Sequence, residues 1–412
     1  MMTTPFAKTP PNFAHDMPDV TKILSDLVAL PSVNPMGGFD DGPEFYEYRV
    51  SEYLEAFFLS LGVTYQRQTV APKRDNVVAR LDGTTPPDQG GGVLMFEAHQ
   101  DTVPVTGMTI PPWTPTVRDG RLYGRGACDI KGGMAAMLSA FARLADERPA
   151  DMPTLIMACT VNEEHGYTGA SALVELWDKE DSIFPRQPDG AIVAEPTGLQ
   201  AVVAHKGVVR WRCHARGRAG HSSQPHLAVS AIFKMHPVLK ALERYQTEIA
   251  PSLGRHPRCG TPTLSVGTIT GGLSVNTVPD LCTIQIDRRL IPGEDPHEAY
   301  RHVVDFIAWE TEKDAAIEHE EPFLIGYGLR DEQNTALASA LVAAAGEAGI
   351  DCETIGVAYG TDAAAFAAAG VPSVVFGPGS IDQAHTADEW VPLDELRLAS
   401  EALYHLGRRG IQ

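Results

Sequence analysis

The chain has 412 residues, of which 43% are hydrophobic and 21% are charged, a composition typical of folded globular proteins and not of disordered chains. Its net charge is -20, because 53 Asp and Glu outnumber 33 Lys and Arg. Nucleic acid and anionic membranes are therefore unfavourable partners, since both are bound through basic surfaces.

Six cysteines are scattered along the chain without a CxxC pair. This spacing argues against a disulfide framework and against a cysteine-type zinc site, and it favours a reducing compartment. The first twenty residues lack the apolar core of a signal peptide, and no stretch is long and apolar enough to cross a bilayer. We expect a cytoplasmic protein.

The first predicted elements are two amphipathic helices, at about residues 20–28 and 44–61, and two strands at 63–69 and 76–81. A short buried strand at 93–96 then leads directly to His99 and Asp101. A glycine-rich segment at 124–133 opens a helix and contains Asp129. It matches neither phosphate-binding pattern, GxxxxGK[ST] or GxGxxG after a strand.

Two more apolar strands also end on acids. Residues 154–160 lead to Glu163 and Glu164, and residues 190–194 lead to Glu195. Open α/β sheets bind their ligands at the carboxyl ends of the strands. The alternation of strands and helices predicts an α/β fold with a doubly wound, mostly parallel sheet covered on both faces.

From about residue 206 the pattern changes to a compact group of strands and two long helices. The strand–helix alternation of the first part resumes after about residue 324. We therefore predict a catalytic domain in two pieces, residues 1–205 and 324–412. An α+β domain of the ferredoxin-like type, residues 206–323, is inserted between them.

The adjacent acids Glu163 and Glu164 have a geometric consequence if their segment is extended. Successive side chains of an extended segment point to opposite faces, so one carboxylate could hold a metal ion while the other faces a substrate. Taken alone, a Glu-Glu pair at a strand end is more simply a solvated surface feature.

The strand ends collect two imidazoles and several carboxylates but no thiolate, a donor set that suits zinc or a similar divalent cation. Converging carboxylates raise one another's pKa, and bound cations are the simplest means of keeping them ionised. The candidates are His99, Asp101, Asp129, Glu163, Glu164, Glu195 and His385.

Five motifs occur along the chain in this order: HxDxVP at 99–104, GRGxxDxKGG at 124–133, EExG at 163–166, AEPT at 194–197 and AHTADE at 384–389. Together they resemble the M20-type metallopeptidase and aminoacylase family, which includes acetylornithine deacetylase, succinyl-diaminopimelate desuccinylase, carboxypeptidases of the G type and carnosinase-like dipeptidases. The resemblance covers nearly the whole chain from about Val20.

The resemblance implies two zinc ions per chain, with cobalt or manganese as substitutes, bridged by Asp129. His99 and Glu195 would complete the ligands of one ion, and Glu164 and His385 those of the other. It also implies a cis peptide bond between Asp129 and Ile130.

The same resemblance assigns roles to the remaining acids of the motifs. Glu163 would be the general base. Asp101 would orient the His99 imidazole, fixing its tautomer and raising its basicity as a ligand.

The inserted domain resembles the family's lid and dimerisation domain and therefore implies a homodimer. His221 would stabilise the oxyanion, across the dimer in several members, while Asn276 and Arg289 would bind substrate, with Arg289 on a carboxylate. Gly360 and Gly379 would shape the pocket. Simpler alternatives are an interface histidine, structural ion pairs of the arginines and ordinary turn glycines.

The resulting prediction is a zinc-dependent amidohydrolase that acts on a small N-acyl amino acid with a free carboxylate, as acetylornithine deacetylase does. A glutamate-releasing carboxypeptidase or a dipeptidase acting on short peptides is the alternative within the family. A catalytically silent, metal-stabilised dimeric binding protein is the alternative outside it, and the intact Glu163 disfavours that reading.

Overall fold

The computed structural model describes residues 19–38, 40 and 42–411. These residues form two compact units. The first contains the described parts of Met1–Val203, Asp331–Ile355 and Thr361–Gln412, and the second contains Ala204–Arg330 and Gly356–Gly360. The second unit extends beyond the predicted end of the insertion at residue 323, because a further strand, Leu324–Gly326, pairs inside it.

The elements are as follows. The helices are α1 (Val20–Val28), α2 (Tyr48–Ser60), α3 (Lys131–Glu147), α4 (Glu163–Gly166), α5 (Thr168–Val174), α6 (Ala231–Arg244), α7 (Pro296–Glu310), α8 (Thr335–Glu347), α9 (Ala363–Ala368) and α10 (Leu393–Arg409). The strands are β1 (Thr64–Ala71), β2 (Arg74–Leu81), β3 (Val93–His99), β4 (Thr116–Arg118), β5 (Arg121–Tyr123), β6 (Thr154–Thr160), β7 (Gly190–Val193), β8 (Ala201–His205), β9 (Gly207–Arg216), β10 (Gly220–His221), β11 (Thr263–Gly271), β12 (Thr277–Val278), β13 (Leu281–Leu290), β14 (Ile317–His319), β15 (Leu324–Gly326), β16 (Thr354–Val357), β17 (Ser373–Val375) and β18 (Trp390–Pro392).

The largest sheet has eight strands in the order β1-β2-β6-β3-β7-β17-β8-β16. Its centre, β6-β3-β7-β17, is parallel, whereas β1, β2 and β8 pair antiparallel at the flanks. The predicted α/β class is confirmed, with a mixed sheet around a parallel centre. A small sheet, β18-β5-β4, was not predicted, because three-residue strands leave almost no periodic signal.

Every residue of β3 and β6 is buried, as expected for central strands covered on both faces. Leu94, Phe96 and Ala98 of β3 join a core that includes α1, α2, α3, α8 and α10. The alternate residues of β3 point to the opposite face. The helices α5 and α9 contact each other and pack against β6 and β7 respectively.

The second unit is built on the antiparallel order β11-β13-β9-β14, with α6 and α7 packed against β9 and β13. The chain order strand–helix–strand–strand–helix–strand with this pairing is the predicted ferredoxin-like arrangement. Side-chain caps start both helices: Ser230 accepts from the Phe233 amide, and Asp295 accepts from the Glu298 amide. Trp211 lies fully buried in the core between the sheet and the helices.

All six cysteines are free and buried. Among the described residues, no helix has both the length and the apolar character that crossing a bilayer requires.

Gly169, at the start of α5, lies directly against the end of β6. A Cβ atom there would stand 2.2 Å from the Val161 carbonyl oxygen and 2.5 Å from its nitrogen. We expect Gly169→Ala to lower the free energy of unfolding by about 2–3 kcal/mol, since backbone atoms would have to shift. Urea denaturation followed by circular dichroism measures this change.

Gly346 in α8 is the matched control, because no atom of the described residues, apart from its chain neighbours and the backbone of its own helix, lies within 4 Å of its hypothetical Cβ. Gly346→Ala should leave the stability unchanged or raise it by up to about 1 kcal/mol, since alanine favours the helix. Equal effects of the two substitutions would contradict the close contact between α5 and β6.

Candidate metal centre

The parallel strands bring their carboxyl ends to one edge of the sheet. In the register of β3 and β6, His99 lies opposite Thr160, and the Ala194 amide donates to the Glu97 carbonyl across β3 and β7. The residues that follow β6 and β7 therefore reach the same edge as His99. This alignment is the reason why the acids after three separate strands converge.

Two groups of side chains at this edge could each hold a metal ion. The ligand atoms of His99, Asp129 and Glu195 all lie within 4.8 Å of one another, and so do those of Asp129, Glu164 and His385. Asp129 belongs to both groups. It offers Oδ1 to the first, 3.3 Å from His99 Nε2, and Oδ2 to the second, 3.3 Å from His385 Nε2.

The remaining contacts complete each group. His99 Nε2 lies 4.0 Å from Glu195 Oε1, and His385 Nε2 lies 3.3 Å from Glu164 Oε2. The peptide bond between Asp129 and Ile130 is cis, so that expectation is confirmed.

The donor set fits divalent cations. His99 Nε2 and Glu164 Oε1 are buried and make no hydrogen bond to any residue that the structure describes, although buried polar atoms are nearly always paired. Imidazole nitrogen and carboxylate oxygen, without a thiolate, are ligands that zinc and similar divalent ions accept. A cation in each group would give both atoms the partner that they lack.

The acids of the centre carry more negative charge than the two histidines can balance. Burial raises the pKa of Glu195 well above its usual range, and the charges of Asp129 and Glu163 add to the effect. Burial and the Asp129 charge raise the pKa of Glu164 to about 7. Bound cations would offset this repulsion and favour the ionised forms.

Asp129 behaves in the opposite way. Burial by itself would raise its pKa, but the His385 and His99 imidazoles, each 3.3 Å from one of its oxygens, lower the pKa below its usual value. The contact with Asp129, and next the contact with Glu164, raise the pKa of His385 to about 10. Asp129 therefore ionises more readily than Glu164 and Glu195.

The His99 imidazole is oriented through its other nitrogen. Nδ1 lies 3.0 Å from the Asp101 carbonyl oxygen and 3.4 Å from its carboxylate Oδ1. A proton on Nδ1 leaves Nε2 free to bind a cation. The nearest acceptor is the backbone carbonyl of Asp101, whereas the sequence suggested only its carboxylate.

The expectation that Glu163 and Glu164 lie on an extended segment is wrong. Asn162 adopts a left-handed conformation with φ of 63°, and Glu163–Gly166 form the single helical turn α4. The Asp101 carboxylate accepts both backbone amides, from Glu163 at 3.1 Å and from Glu164 at 3.2 Å. The chain turns here because Asp101 satisfies the first amides of the helix.

The two acids are nevertheless in different positions. Glu164 belongs to the second ligand group and Glu163 to neither. Glu163 is buried, which raises its pKa well above the usual range, and the neighbouring charges of Asp362 and Glu164 reinforce the shift while His99 opposes it.

Asn34 is part of the centre, although the sequence did not indicate it. Its side-chain nitrogen donates to Asp101 Oδ2 at 2.8 Å and to Asn162 Oδ1 at 2.9 Å, and its oxygen accepts from the Met36 amide at 2.8 Å. Asn34 therefore ties Asp101 to the turn that carries the two glutamates. It lies in a loop far upstream of both partners, so no spacing pattern could have indicated it.

A second missed feature is a buried pair of acids. The Thr160 hydroxyl oxygen lies 2.5 Å from Glu97 Oε1 and 3.0 Å from Asp362 Oδ2. A hydroxyl has one hydrogen to donate, so both contacts can be hydrogen bonds only if one carboxyl is protonated. Burial raises the pKa of Asp362 to about 6 and the pKa of Glu97 well above its usual range. Both shifts agree with one protonated carboxyl in this pair. A lone acid inside an apolar strand was the available signal for Glu97.

Four predicted residues lie in the second unit and are described within it. His221, in β10, is exposed, and its Nδ1 lies 2.7 Å from the Ser223 hydroxyl. Asn276 is exposed and accepts a hydrogen bond from Ser274 at 2.6 Å. Gly360 ends the short segment 356–360 of this unit.

Arg289 is half-buried, and its Nε donates to Asp287 Oδ1 at 2.8 Å. Its neighbour Arg288 is fully buried and pairs with Glu294 at 2.8 Å. Both arginines therefore have ion-pair partners, which was the structural alternative for them. Binding of a substrate carboxylate by Arg289 stays a prediction.

Gly379, in the first unit, has a φ of 83°, and a Cβ atom on it would lie 2.5 Å from Cys128 Sγ. Its carbonyl accepts from the Gly198 amide at 2.6 Å. A glycine is thus required here by backbone conformation and packing, and a role in shaping a pocket stays a prediction.

Residues 95–409 match the model of peptidase family M20/M25/M40. The chain belongs to this family. It is therefore a hydrolase by class, and the resemblance drawn from the five motifs is confirmed. Every residue of the two ligand groups lies within the matched region.

Among curated members, the chain is 30% identical over 400 residues to acetylornithine deacetylase of Vibrio cholerae serotype O1, covering 92% of this chain and 95% of the relative. It is 32% identical over 352 residues to acetylornithine deacetylase of Myxococcus xanthus, covering 84% and 87%. An M20 family metallo-carboxypeptidase from Sulfolobus solfataricus superposes with a TM-score of 0.75 over 95% of this chain and 99% of its own, at 18% identity. At that identity the likeness shows the M20 fold alone.

We expect Asn34→Ala to lower the free energy of unfolding by about 2–3 kcal/mol, because it leaves the Met36 backbone amide and the Asn162 side-chain oxygen Oδ1 without this partner. Chemical denaturation of the metal-free protein measures the change. Gln187→Ala removes the same amide chemistry from an exposed site, where Gln187 donates to Ala369, and should cost less than about 0.5 kcal/mol. Similar losses for both variants would contradict the role of Asn34.

Proposed function

We propose that the chain is a zinc-dependent amidohydrolase that removes the acyl group from an N-acyl amino acid, with Glu163 as the general base. The observation that carries the proposal is the pair of ligand groups that share Asp129, with a buried carboxylate beside them that belongs to neither group. The acetylornithine deacetylases at 30–32% identity support the substrate class.

The residues that would hold the two ions are His99, Asp129 and Glu195 for one, and Asp129, Glu164 and His385 for the other. When bound, such ions lower the pKa of a coordinated water towards about 7 and polarise a scissile carbonyl. Cobalt or manganese would suit the same donors, since imidazole and carboxylate do not select zinc alone.

Glu163 is suited to moving the proton. Its burial raises the pKa of the carboxyl, and a carboxylate with a raised pKa is a stronger base than an exposed one. It would accept a proton from the attacking water and donate it to the leaving nitrogen. The Asp101 contact with its backbone amide holds the start of the turn that carries it.

The second unit would supply the contacts to substrate. Arg289 could bind a free carboxylate by exchanging its partner Asp287 for the substrate. His221, exposed and oriented by Ser223, could donate a hydrogen bond to the oxyanion, and Asn276 could contribute an amide. These assignments follow from the family resemblance and from the exposure of His221 and Asn276.

Peptide cleavage is the second candidate, and the match of residues 95–409 to the model of peptidase family M20/M25/M40 favours it. Both reactions break an amide next to a carboxylate-bearing residue, so the same centre could perform either. A metal-stabilised binding protein would have no need of a buried carboxylate beside a complete ligand set.

The test is a panel of N-acetyl, N-succinyl and N-formyl amino acids, including N-acetylornithine, beside glutamyl and β-alanyl dipeptides. We expect zinc- or cobalt-loaded protein to hydrolyse an N-acyl amino acid fastest, to lose activity in chelator and to regain it with metal. Forms with an amidated carboxylate should react more slowly if Arg289 holds that group.

Glu163→Gln is the matched variant for this test. It should keep both metal ions, measured by metal analysis, while kcat falls by about 10²- to 10⁴-fold, the usual contribution of a general base. Near-native turnover of Glu163→Gln would refute its role, and a preference for dipeptides would favour the second candidate.

We also propose that the second unit forms a homodimer through one apolar face, which we call the β11 face: Ile232, Phe233, Leu273, Val275 and the edge of β11. Phe233 is 81% exposed and Leu273 is 97% exposed. A hypothetical Cβ on Gly271 lies 3.2 Å from Ile232, so the end of β11 and the start of α6 adjoin.

A second copy of this chain is the occupant that the β11 face suits. Among the described strands, β11 pairs only with β13, so its other edge presents backbone groups that no described strand pairs with. Two such edges can pair antiparallel about a two-fold axis, and this buries the flanking apolar side chains on both copies.

We expect Phe233→Glu to shift the protein from a dimer, at twice the chain mass of 44.4 kDa, to a monomer. Sedimentation equilibrium measures the mass. Leu59→Glu, at another exposed apolar position in α2, is the control and should leave the mass unchanged. A wild-type monomer, or a Phe233→Glu dimer, would contradict the proposed interface.

A further inference from the structure

Glu389 makes an unusual set of contacts that the proposed reaction does not use. Its carboxylate is fully buried and accepts four hydrogen bonds. Oε1 accepts from the backbone amides of Cys128 at 2.9 Å and Asp129 at 3.0 Å. Oε2 accepts from the Gly126 amide at 3.0 Å and from Arg125 Nη1 at 2.6 Å.

All four donors lie in one segment, residues 125–129. The backbone carbonyl of Glu389 also accepts from the Gly124 amide at 3.1 Å. This single residue therefore fixes the path of the loop from its first glycine to Asp129. The loop has no regular secondary structure of its own, so its shape depends on such external acceptors.

The position of Glu389 in the chain gives these contacts a second consequence. It follows His385 by four residues, so one short segment carries a candidate ligand and also holds the loop that carries another. Asp129 Oδ2 and His385 Nε2 are 3.3 Å apart. Movement of the loop relative to this segment would change that separation directly.

We infer that Glu389 is a positioning residue for the shared ligand Asp129, and that it sets the geometry of Asp129 against His385. Glu389 belongs to neither ligand group, and its carboxylate holds Asp129 through the backbone of the loop. This inference rests on the proposed metal-binding function. Partners that orient ligands typically contribute about 10- to 100-fold to metal affinity.

Glu389→Gln tests the inference with little change in size. Glutamine has one acceptor oxygen and one NH₂ group, whereas both carboxylate oxygens of Glu389 face two N–H donors each. Either orientation of the amide therefore sets its NH₂ group against two donors. The loop must move to relieve this opposition.

The experiment titrates cobalt into the purified full-length protein in competition with a chelator, and records the visible absorption of the bound cobalt. We expect wild type to bind two ions. Glu389→Gln should bind at least one of them about 10- to 100-fold more weakly, with an altered cobalt spectrum. A loss of fold stability alone would move neither quantity in the protein that remains folded.

Glu294→Gln is the matched control. Glu294 also pairs with a buried arginine, Arg288 at 2.8 Å, and accepts a backbone amide, from Ile291 at 2.7 Å, but it lies in the second unit. The Glu294→Gln substitution should lower the melting temperature without changing the cobalt affinity or the cobalt spectrum. If Glu389→Gln does not fold, Arg125→Gln removes one of the four contacts, and we expect a smaller change of the same kind, about 3- to 10-fold.

The outcomes separate the two proposals. Wild-type protein that binds no cobalt would contradict the proposed function itself. Wild-type protein that binds two ions, together with a Glu389 or Arg125 variant whose affinity and spectrum equal those of wild type, would overturn the positioning role alone. Equal spectral changes in Glu294→Gln would also overturn it, since the effect would then be a general consequence of losing a buried ion pair.

Discussion

The centre depends on one carboxylate that must serve two ligand groups at once. Asp129 can do this only because its two oxygens point to different imidazoles, each at 3.3 Å. Its position in turn requires a loop of fixed shape and strands that end at the same edge of the sheet. The hydrogen bonds of Glu389 to the loop and the parallel register of β3, β6 and β7 meet these requirements.

The buried acids around Asp129 explain why the surroundings are so fully hydrogen-bonded. Buried carboxylates are unfavourable unless they are paired, protonated or bound to cations. Asp101 takes two backbone amides and the Asn34 amide, and Glu97 shares Thr160 with Asp362. By contrast, His99 Nε2 and Glu164 Oε1 have no hydrogen-bond partner among the described residues, and a bound cation would supply one to each.

The sequence predicted the fold class, the ferredoxin-like insertion and the residues that the ligand groups bring together. It could do so because strand ends carry ligands in α/β sheets, and because five motifs occur in family order. The extended geometry of Glu163 and Glu164 was wrong, since the Asp101 carboxylate turns that segment into a helical turn. No local pattern predicts a contact made from so far along the chain.

Asn34 and Glu389 illustrate the same limit more generally. Each acts through backbone groups of a distant loop, and a sequence does not show which amide a side chain will meet. Their roles follow only from three-dimensional contacts. The motif AHTADE contains Glu389, but the family resemblance assigned a role only to His385 in it.

The most direct test of the account is anomalous X-ray diffraction from crystals of the zinc-loaded protein at the zinc edge. We predict two anomalous peaks per chain, one coordinated by His99, Asp129 and Glu195 and the other by Asp129, Glu164 and His385. A single peak, or two peaks that do not share Asp129, would contradict the central claim that one carboxylate organises both ligand groups.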